Sequence, residues 1–358
     1  MAQPRRTSAT KGFRRCLAVR WLALLLFLAA QLFPAPAQAL LFGRLGLRDE
    51  KEMGRKFDAM MRSHMATIED PEISGYINDV LSRLTKGLAP QPFQFRASVV
   101  RHNSMNAFAV PGGYVFVFSG MIMNLQSEDE LAGVLAHELA HVTQRHVASR
   151  MERAQYLSIA SLLLAIAGIA AGGPGGHAIA AGSVGAGQAA MLDYSRMDET
   201  EADHLGLQYL VAAGYAPSGM TGGFRVLRQK SWMSGASVPA YLSTHPALSE
   251  RINGLTARIE AMPPALRQRK PAQSRFKRVK ALLLARYGDP QAALRLFSGA
   301  DALSQMGRGI VLARQNRISQ AAEAFAKAVK ASPDDSLILR EASAFLSCPS
   351  ASARSPLR

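Results

Sequence analysis

The residues best placed to do chemistry lie in the segment His137-Glu138-Leu139-Ala140-His141. Two histidines four positions apart share one face of an α-helix, so both imidazoles can reach a single metal ion. Glu138 follows the first histidine and places a carboxylate beside the metal's open position. A zinc ion held in this way lowers the pKa of bound water to about 7, and the glutamate takes a proton from that water during attack on a carbonyl. The pattern therefore predicts a zinc hydrolase.

An HExxH sequence is short enough to occur by chance, and the alternative is two histidines on the surface of a helix. Here the neighbouring residues are apolar, because Leu135, Leu139 and Val142 alternate with alanines. Buried imidazoles and a buried carboxylate are costly without partners, and a metal ion supplies one. The setting of the motif favours a metal site.

A catalytic zinc site needs a third protein ligand, and the acid-rich segment 193–204 supplies candidates. Glu199 and Asp203 are four residues apart and share a helix face. One of them can bind zinc while the other accepts a hydrogen bond from a ligand imidazole. Spacing alone does not choose between Glu199 and Glu201, because acids at the start of a helix are also ordinary capping chemistry.

The helix that carries the HExxH motif is expected to begin after Ser127, its N-cap, and to continue to about Arg153. In such a helix His146 lies five residues past the second motif histidine and points off the metal face. It is predicted to be a solvent or packing histidine.

The elements before this helix alternate between helical and extended patterns. From Leu47 to Leu84 apolar residues recur three and four apart, which predicts two helices separated at Pro71, with Asp70 as the cap. From Phe93 to Val99 the residues alternate as in a half-buried strand.

The segment from Asn103 to Phe118 predicts two short strands joined by a Pro-Gly-Gly turn. An ordinary hairpin accounts for most of its residues. The functional interpretation is that one strand is a free edge beside the zinc helix, where an extended peptide can pair through main-chain hydrogen bonds with little sequence selectivity. The substrate-binding residues predicted on this basis are Asn106, Ala107 and Phe108.

Residues 1–39 have the pattern of a cleaved secretory signal peptide. Six basic residues precede an apolar run from Trp21 to Phe33, and a small-x-small cleavage pattern ends at Ala39. An uncleaved anchor is the alternative, but this run is short for a membrane span of about 20 residues. Removing these residues lowers the formal net charge from +16 to +10 and leaves Cys348 alone, which excludes an internal disulfide.

A mature chain this basic favours anionic surfaces, but its basic residues are scattered without interleaved aromatics, so nucleic acid is not an expected partner. No charged residue occurs between Ala154 and Leu192. The simplest interpretation of that segment is a buried helix followed by a mobile Gly-rich loop. Peripheral contact with lipid or with an apolar client is the alternative, and a full membrane span is marginal.

Residues 271–347 predict an all-α region that resembles tetratricopeptide repeats. Gln320 to Pro333 matches the second helix and closing proline of a repeat, Gly309 takes the small position of the first helix, and Tyr287 to Phe297 is a weaker copy. Fewer than three repeats seldom stand alone, so this region is expected to pack on the catalytic domain and offer a groove to a partner. The Ser-, Pro- and Ala-rich tail, 348–358, is predicted to be disordered.

Taken together, four motifs resemble the gluzincin metallopeptidases related to HtpX and the CAAX prenyl proteases. They are, in chain order, Asn106 to Tyr114, His137 to His141, Glu199 to Asp203 and His245 to Ile252. The likeness covers most of the mature chain. It extends in particular to the BepA-like secreted bacterial members, which also have a signal peptide and a C-terminal tetratricopeptide region.

The resemblance assigns roles to individual residues. It implies that His137, His141 and Glu199 are the three zinc ligands. It also implies that Glu138 is the general base and that Asp203 orients a ligand. It also implies that His245 can approach the zinc and hold the site inactive. From its own position before a proline, His245 is expected to be extended and exposed, either as a fourth ligand, as a donor to the oxyanion, or as an ordinary turn residue.

The sequence thus predicts a mainly helical α+β protein with a signal peptide at 1–39, a gluzincin-type zinc peptidase domain with a small β-sheet at 40–270, and the tetratricopeptide-like region. The resemblance implies one Zn²⁺ per chain and a periplasmic endopeptidase that degrades misassembled outer-membrane proteins and assists their assembly. It further implies that the helical repeats bind outer-membrane assembly machinery. The alternatives are an envelope chaperone or adaptor with a latent zinc site, and a zinc amide hydrolase acting on cell-wall peptides.

Overall fold

The structure is a computed structural model that describes residues 45–153, 195–233, 241, 245–269 and 274–347. The predicted signal peptide, the whole uncharged segment from Ala154 to Leu192 and the C-terminal tail lie outside these residues. Within the described ranges, no helix combines the length and the apolar character needed to cross a bilayer.

These residues are mainly helical and form one three-stranded sheet, which confirms the predicted α+β class. Two helical stretches, residues 146–153 and 195–212, are labelled α5 and α6. The other elements, in chain order, are α1 (Leu47–His64), α2 (Pro71–Thr85), β1 (Arg96–Val100), β2 (Ala107–Val110), β3 (Tyr114–Phe118), α3 (Ser119–Asn124), α4 (Glu128–Thr143), α7 (Ser218–Met233), α8 (Leu248–Glu260), α9 (Pro264–Arg267), α10 (Ser274–Tyr287), α11 (Pro290–Leu296), α12 (Ala302–Arg314), α13 (Ile318–Ala331) and α14 (Ser336–Leu346).

The sheet has the strand order β1-β3-β2. β3 pairs in parallel with β1 and antiparallel with β2, and Val110 lies opposite Tyr114 where the hairpin closes. The predicted hairpin is therefore present, and β2 is an edge strand: among the described residues no strand pairs with its outer side. The preceding strand begins at Arg96 rather than at Phe93.

Helix α4 lies at the centre of the core. Every residue from Leu131 to Val142 is buried; most are apolar or small, and the exceptions are His137, Glu138 and His141. It packs against α2, α7 and the edge strand β2. The Ser127 hydroxyl accepts a hydrogen bond from the Glu130 N–H at 3.2 Å, so the predicted N-cap is present.

The prediction that α4 continues to Arg153 is wrong. The helix ends at Thr143, and Arg145 adopts a left-handed conformation with φ of 56° before helix resumes at residue 146. Its guanidinium holds this turn, because Nε donates to the buried Glu50 carboxylate at 2.5 Å and Nη2 donates to the Leu45 carbonyl at 2.6 Å. The break therefore depends on a contact about 95 positions away in the chain.

The C-terminal helices pack on the rest of the chain through α10, which contacts α2 and α3. Ion pairs cross this contact: Arg286 and Arg340 each approach Asp70 at 2.9 Å, and Arg278 approaches Glu72 at 3.3 Å. Helices α12 and α13 also pack closely on each other. The expected packing is thus observed, while the assignment of these helices to the tetratricopeptide class stays a prediction.

Candidate metal centre

Three parts of the chain meet at one buried group of side chains. The group consists of His137 and His141 from α4, Glu199 from α6 and His245 just before α8, and one potential ligand atom from each lies within 4.8 Å of the others. All four side chains are buried. Asp203 contacts the group without belonging to it.

A close approach between α6 and α4 brings Glu199 to the two histidines. A Cβ placed on Gly206 would lie 3.0 Å from both the nitrogen and the Cα of His137, so only glycine fits this contact without displacement. Glu199 lies two helical turns before Gly206. Its Oε2 is 3.4 Å from His137 Nε2, and its Oε1 is 3.4 Å from His141 Nε2.

Asp203 orients the first histidine. Its Oδ1 lies 3.1 Å from His137 Nδ1, so the Nδ1–H donates to this carboxylate and Nε2 is left to face the group. Arg251 fixes Asp203 in turn, with bonds of 2.8 Å from Nε and 2.6 Å from Nη2. Burial raises the pKa of Asp203, but the hydrogen bonds from Arg251 and His137 outweigh it and lower the pKa below its ordinary value.

Arg251 is a site residue to which the sequence analysis gave no role, although it lies inside the fourth motif. It is 8% exposed, its guanidinium lies over the Phe224 ring, and its Nη1 is 2.6 Å from Glu199 Oε2. One arginine thus contacts both Glu199 and Asp203. A buried charge of this kind is stable only when paired, and the two carboxylates pair it.

His146 is not a solvent histidine. It is 3% exposed, and its Nδ1 lies 2.8 Å from Nδ1 of His141, because the left-handed turn at Arg145 swings it back toward α4. Its Nε2 lies 3.2 Å from Glu201 Oε2. Glu201, which spacing alone could not separate from Glu199, therefore lies outside the four-residue group and contacts His146.

Glu138 lies beside the group with one oxygen available. Its side chain is 2% exposed, and among the described residues its Oε1 accepts no hydrogen bond; His245 Nε2 lies 3.6 Å from this oxygen. Burial raises the pKa of Glu138, and the neighbouring His245 and His137 only partly oppose the rise. A carboxylate with a raised pKa is a stronger proton acceptor than an ordinary surface glutamate.

The expectation that His245 is exposed is wrong, since it is 6% exposed. The Tyr241 ring stacks on its imidazole with centroids 4.4 Å apart, and the His245 N–H donates to the Tyr241 carbonyl at 2.9 Å. Its Nδ1 lies 3.0 Å from Glu199 Oε2 and 3.3 Å from His137 Nε2. The imidazole therefore lies within the group of potential metal ligands.

The three predicted substrate-binding residues lie on or next to the edge strand, which packs against α4. Ala107 is fully buried, and the Phe108 ring stacks on Phe116 with centroids 5.3 Å apart, so neither side chain faces a free groove. The Asn106 carbonyl accepts from the Phe118 N–H at 2.9 Å. A peptide bound here would contact the main chain of the outer edge.

The charges of the group suit a cation. Burial and neighbouring His137 keep the pKa of His141 well below its usual value, so its imidazole is neutral with a lone pair available. Burial and Arg251 lower the pKa of His137, but hydrogen bonds to Asp203 and Glu199 raise it to about 9, so it carries a proton at neutral pH that a metal ion would replace. Imidazole nitrogens with one carboxylate are the donor set of zinc hydrolases.

Comparison with known proteins gives consistent matches. Residues 70–259 match peptidase family M48. A putative beta-barrel assembly-enhancing protease of Vibrio cholerae serotype O1 is 33% identical over 312 residues, 82% of this chain and 63% of that protein. The beta-barrel assembly-enhancing protease of Escherichia coli K12 is 30% identical over 77% of this chain and 55% of that protein. Mitochondrial metalloendopeptidase OMA1 of Schizosaccharomyces pombe is 32% identical over 49% of this chain and 50% of that protein. The chain thus spans about half to two thirds of the length of these relatives.

Proposed function

This chain belongs to peptidase family M48, and we propose that it is a zinc-dependent endopeptidase of the bacterial periplasm that degrades misassembled outer-membrane proteins. The membership confirms the resemblance that four sequence motifs predicted. One observation carries the proposal: four potential ligand atoms lie within 4.8 Å of one another, with the Glu138 carboxylate beside them. The client class is supported by relatives named beta-barrel assembly-enhancing proteases, and the location by the predicted signal peptide.

In the proposed reaction His137, His141 and Glu199 would hold zinc. When bound, zinc would supply the Lewis-acid chemistry that polarises a peptide carbonyl and lowers the pKa of water. Glu138 Oε1 takes a proton from the attacking water and passes it to the leaving amine nitrogen. Asp203 keeps His137 in the tautomer whose Nε2 lone pair faces the metal position.

The position of His245 supports a restrained resting state. Its Nδ1 contacts Glu199 and lies next to His137, while its Nε2 approaches Glu138. We therefore assign it as a fourth ligand rather than an oxyanion donor, so that proteolysis requires its imidazole to leave the group. The same feature favours the second candidate function, an envelope chaperone or adaptor in which the zinc site stays latent.

Clients are proposed to pair with the outer edge of β2 through main-chain hydrogen bonds near Asn106, Ala107 and Phe108. Such pairing suits misassembled proteins, because it reads an extended backbone rather than a particular sequence. The helices from α10 onward, packed on α2 and α3, are proposed to contact the outer-membrane assembly machinery.

The replacement Glu138→Gln tests the enzymatic proposal. It keeps the shape of the side chain and removes its ability to accept a proton, so casein proteolysis should fall by at least about a hundredfold. Glu260→Gln, at an exposed carboxylate at the C-terminal end of α8, is the matched control and should keep most of the activity. If client assembly survives while proteolysis is undetectable even in the parent protein, the chaperone function replaces the enzymatic one.

A further inference from the structure

A cavity separate from the candidate metal centre lies where the residues that follow β1 meet the C-terminal helices. Its volume is about 460 Å³, and its lining is basic, polar and aromatic without a carboxylate: Arg101, His102, Asn103, Arg286, Tyr287 and Arg314. We call it the basic cleft. It is lined by none of the residues of the candidate metal centre.

Two of the three arginines that line the cleft, Arg101 and Arg314, form no ion pair with a carboxylate of the described residues. Arg286 is neutralised by Asp70 at 2.9 Å and by Glu341 at 2.7 Å. Within the described part of the chain, Arg314 bonds only to carbonyl oxygens, those of Ala285 at 2.7 Å and Gly288 at 3.2 Å. Those acceptors carry no formal charge, so its positive charge is uncompensated.

Arg101 is the second guanidinium group of the cleft without a carboxylate partner among the described residues. It is exposed, its guanidinium lies 5.9 Å from the centroid of the Tyr287 ring, and no carboxylate in the described part of the chain pairs with it. Arg314, which lines the same cleft, is also exposed. The two parallel N–H donors of one exposed guanidinium group match the two oxygens of a carboxylate.

The topology of the sheet places the basic cleft at one end of the edge strand. β1 is parallel to β3 and β2 is antiparallel to it, so β1 and β3 end at the end of the sheet where β2 begins, at Ala107. Antiparallel pairing is the more stable mode. A peptide paired antiparallel to β2 would therefore leave the sheet past Ala107 with its C-terminal side leading.

The distance is short enough for that peptide to reach the basic cleft. Neighbouring strands are about 4.8 Å apart, so a strand added outside β2 would lie roughly 14 Å from β1. Extended chain covers about 3.3 Å per residue. Four or five residues beyond the paired segment therefore span the gap to Arg101.

We propose that the basic cleft binds a carboxylate of the client polypeptide, four or five residues C-terminal to the segment paired with β2. The proposal rests on the proposed function insofar as a client occupies β2. The carboxylate is either an acidic side chain or the C-terminal carboxyl group, since both present the same pair of oxygens. Such a contact would fix the direction in which a client enters the site.

Binding to the Glu138→Gln protein tests the proposal without depending on proteolysis. Fluorescence anisotropy would compare labelled extended peptides that differ only in carrying glutamate or glutamine four and five residues after the central segment. A second pair would end in a free carboxyl group or an amide at the same distance. We expect at least one acidic peptide to bind about two- to fivefold more tightly than its neutral partner, as for a partly exposed charge pair.

Arg101→Gln should abolish this preference, and Arg96→Gln should retain it. Arg96 is a matched control, because it is equally an exposed arginine but begins β1 at the opposite end of the sheet. Equal binding of acidic and neutral peptides, a preference that survives Arg101→Gln, or an equal loss in Arg96→Gln would overturn the proposal. Binding of inorganic phosphate to the cleft, without any difference between the acidic and the neutral peptides, would also overturn it. Absence of proteolysis in the parent protein would contradict the proposed function and leave this binding result standing.

Discussion

His141 and His146 face each other through their Nδ1 atoms at 2.8 Å, and Nε2 of His146 lies 3.2 Å from Glu201. One pair of tautomers satisfies both contacts: His141 Nδ1–H donates to His146, and His146 Nε2–H donates to Glu201. The lone pair of His141 Nε2 is then directed at Glu199 and His137. His146 is therefore a positioning residue for a candidate metal ligand.

Replacing His146 by alanine should weaken zinc binding by about 10- to 100-fold, as removal of a partner behind a ligand histidine does. The measurement is a zinc competition titration against a chromogenic chelator. His204→Ala is the control, because His204 is exposed on the helix that carries Glu199. An unchanged zinc affinity in His146→Ala would remove this residue from the site.

Replacing His245 by alanine should raise basal proteolysis and leave zinc bound. The imidazole lies among the candidate ligands, and its removal frees a position for water while His137, His141 and Glu199 remain. Turnover of a casein substrate and the zinc content of the same preparation are the readouts. A large loss of activity with zinc retained would contradict the restraining role and support the oxyanion-donor role instead.

Replacing Gly133 by alanine should destabilise the protein by about 1–3 kcal/mol through overpacking. A Cβ at this position would lie 2.5 Å from the Met220 Cα, where α7 crosses α4, and backbone cannot yield as a side chain can. Gly254→Ala on α8 is the control, because its Cβ would have nothing within 4 Å; it should stabilise the helix by about 0.5–1 kcal/mol. Urea unfolding of both variants measures the difference, and equal stabilities would refute the close packing.

The sequence predicted those features that depend on local patterns. The cap at Ser127, the hairpin around Gly112 and the same-face spacing of His137 and His141 need only short-range information, and the structure contains all three elements. The position of Glu199 beside these two histidines depends on how α6 packs against α4. Local sequence could not select it, because Glu201, two residues later on the same helix, has the same side chain.

The features that the sequence did not predict depend on distant contacts. The end of α4 requires the pairing of Arg145 with Glu50, and the burial of His245 requires the Tyr241 ring above it. Neither helix propensity nor capping chemistry contains those partners. Arg251 could have been suspected from its place in the fourth motif, but its pairing with Glu199 and Asp203 appears only in three dimensions.

The charge of Asp335 should stabilise the C-terminal helices in a pH-dependent way. The Arg278 guanidinium lowers the pKa of Asp335 below its ordinary value of 3.8, although burial opposes the shift. Because the folded pKa is the lower one, this contribution is complete above about pH 4 and is lost as pH falls through the lowered pKa. Asp335→Asn, which keeps an oxygen for the cap of α14, should cost about 0.5–1 kcal/mol at pH 7 and less at pH 3.

Asp334→Asn is the control for that experiment, because the neighbouring Asp334 is exposed at the same helix start. It should change the free energy of unfolding little at either pH. Thermal unfolding across pH 3 to 7 compares the variants, and a cost of Asp335→Asn that does not depend on pH would argue against the ion pair.

The most direct test of the central claim is the zinc content of the purified, processed protein, measured by inductively coupled plasma mass spectrometry. Shared binding by His137, His141 and Glu199 predicts about one zinc per chain in the parent protein and in His204→Ala, with loss of most of it in His141→Ala. A parent protein without stoichiometric zinc, or an undiminished zinc content in His141→Ala, would contradict the account.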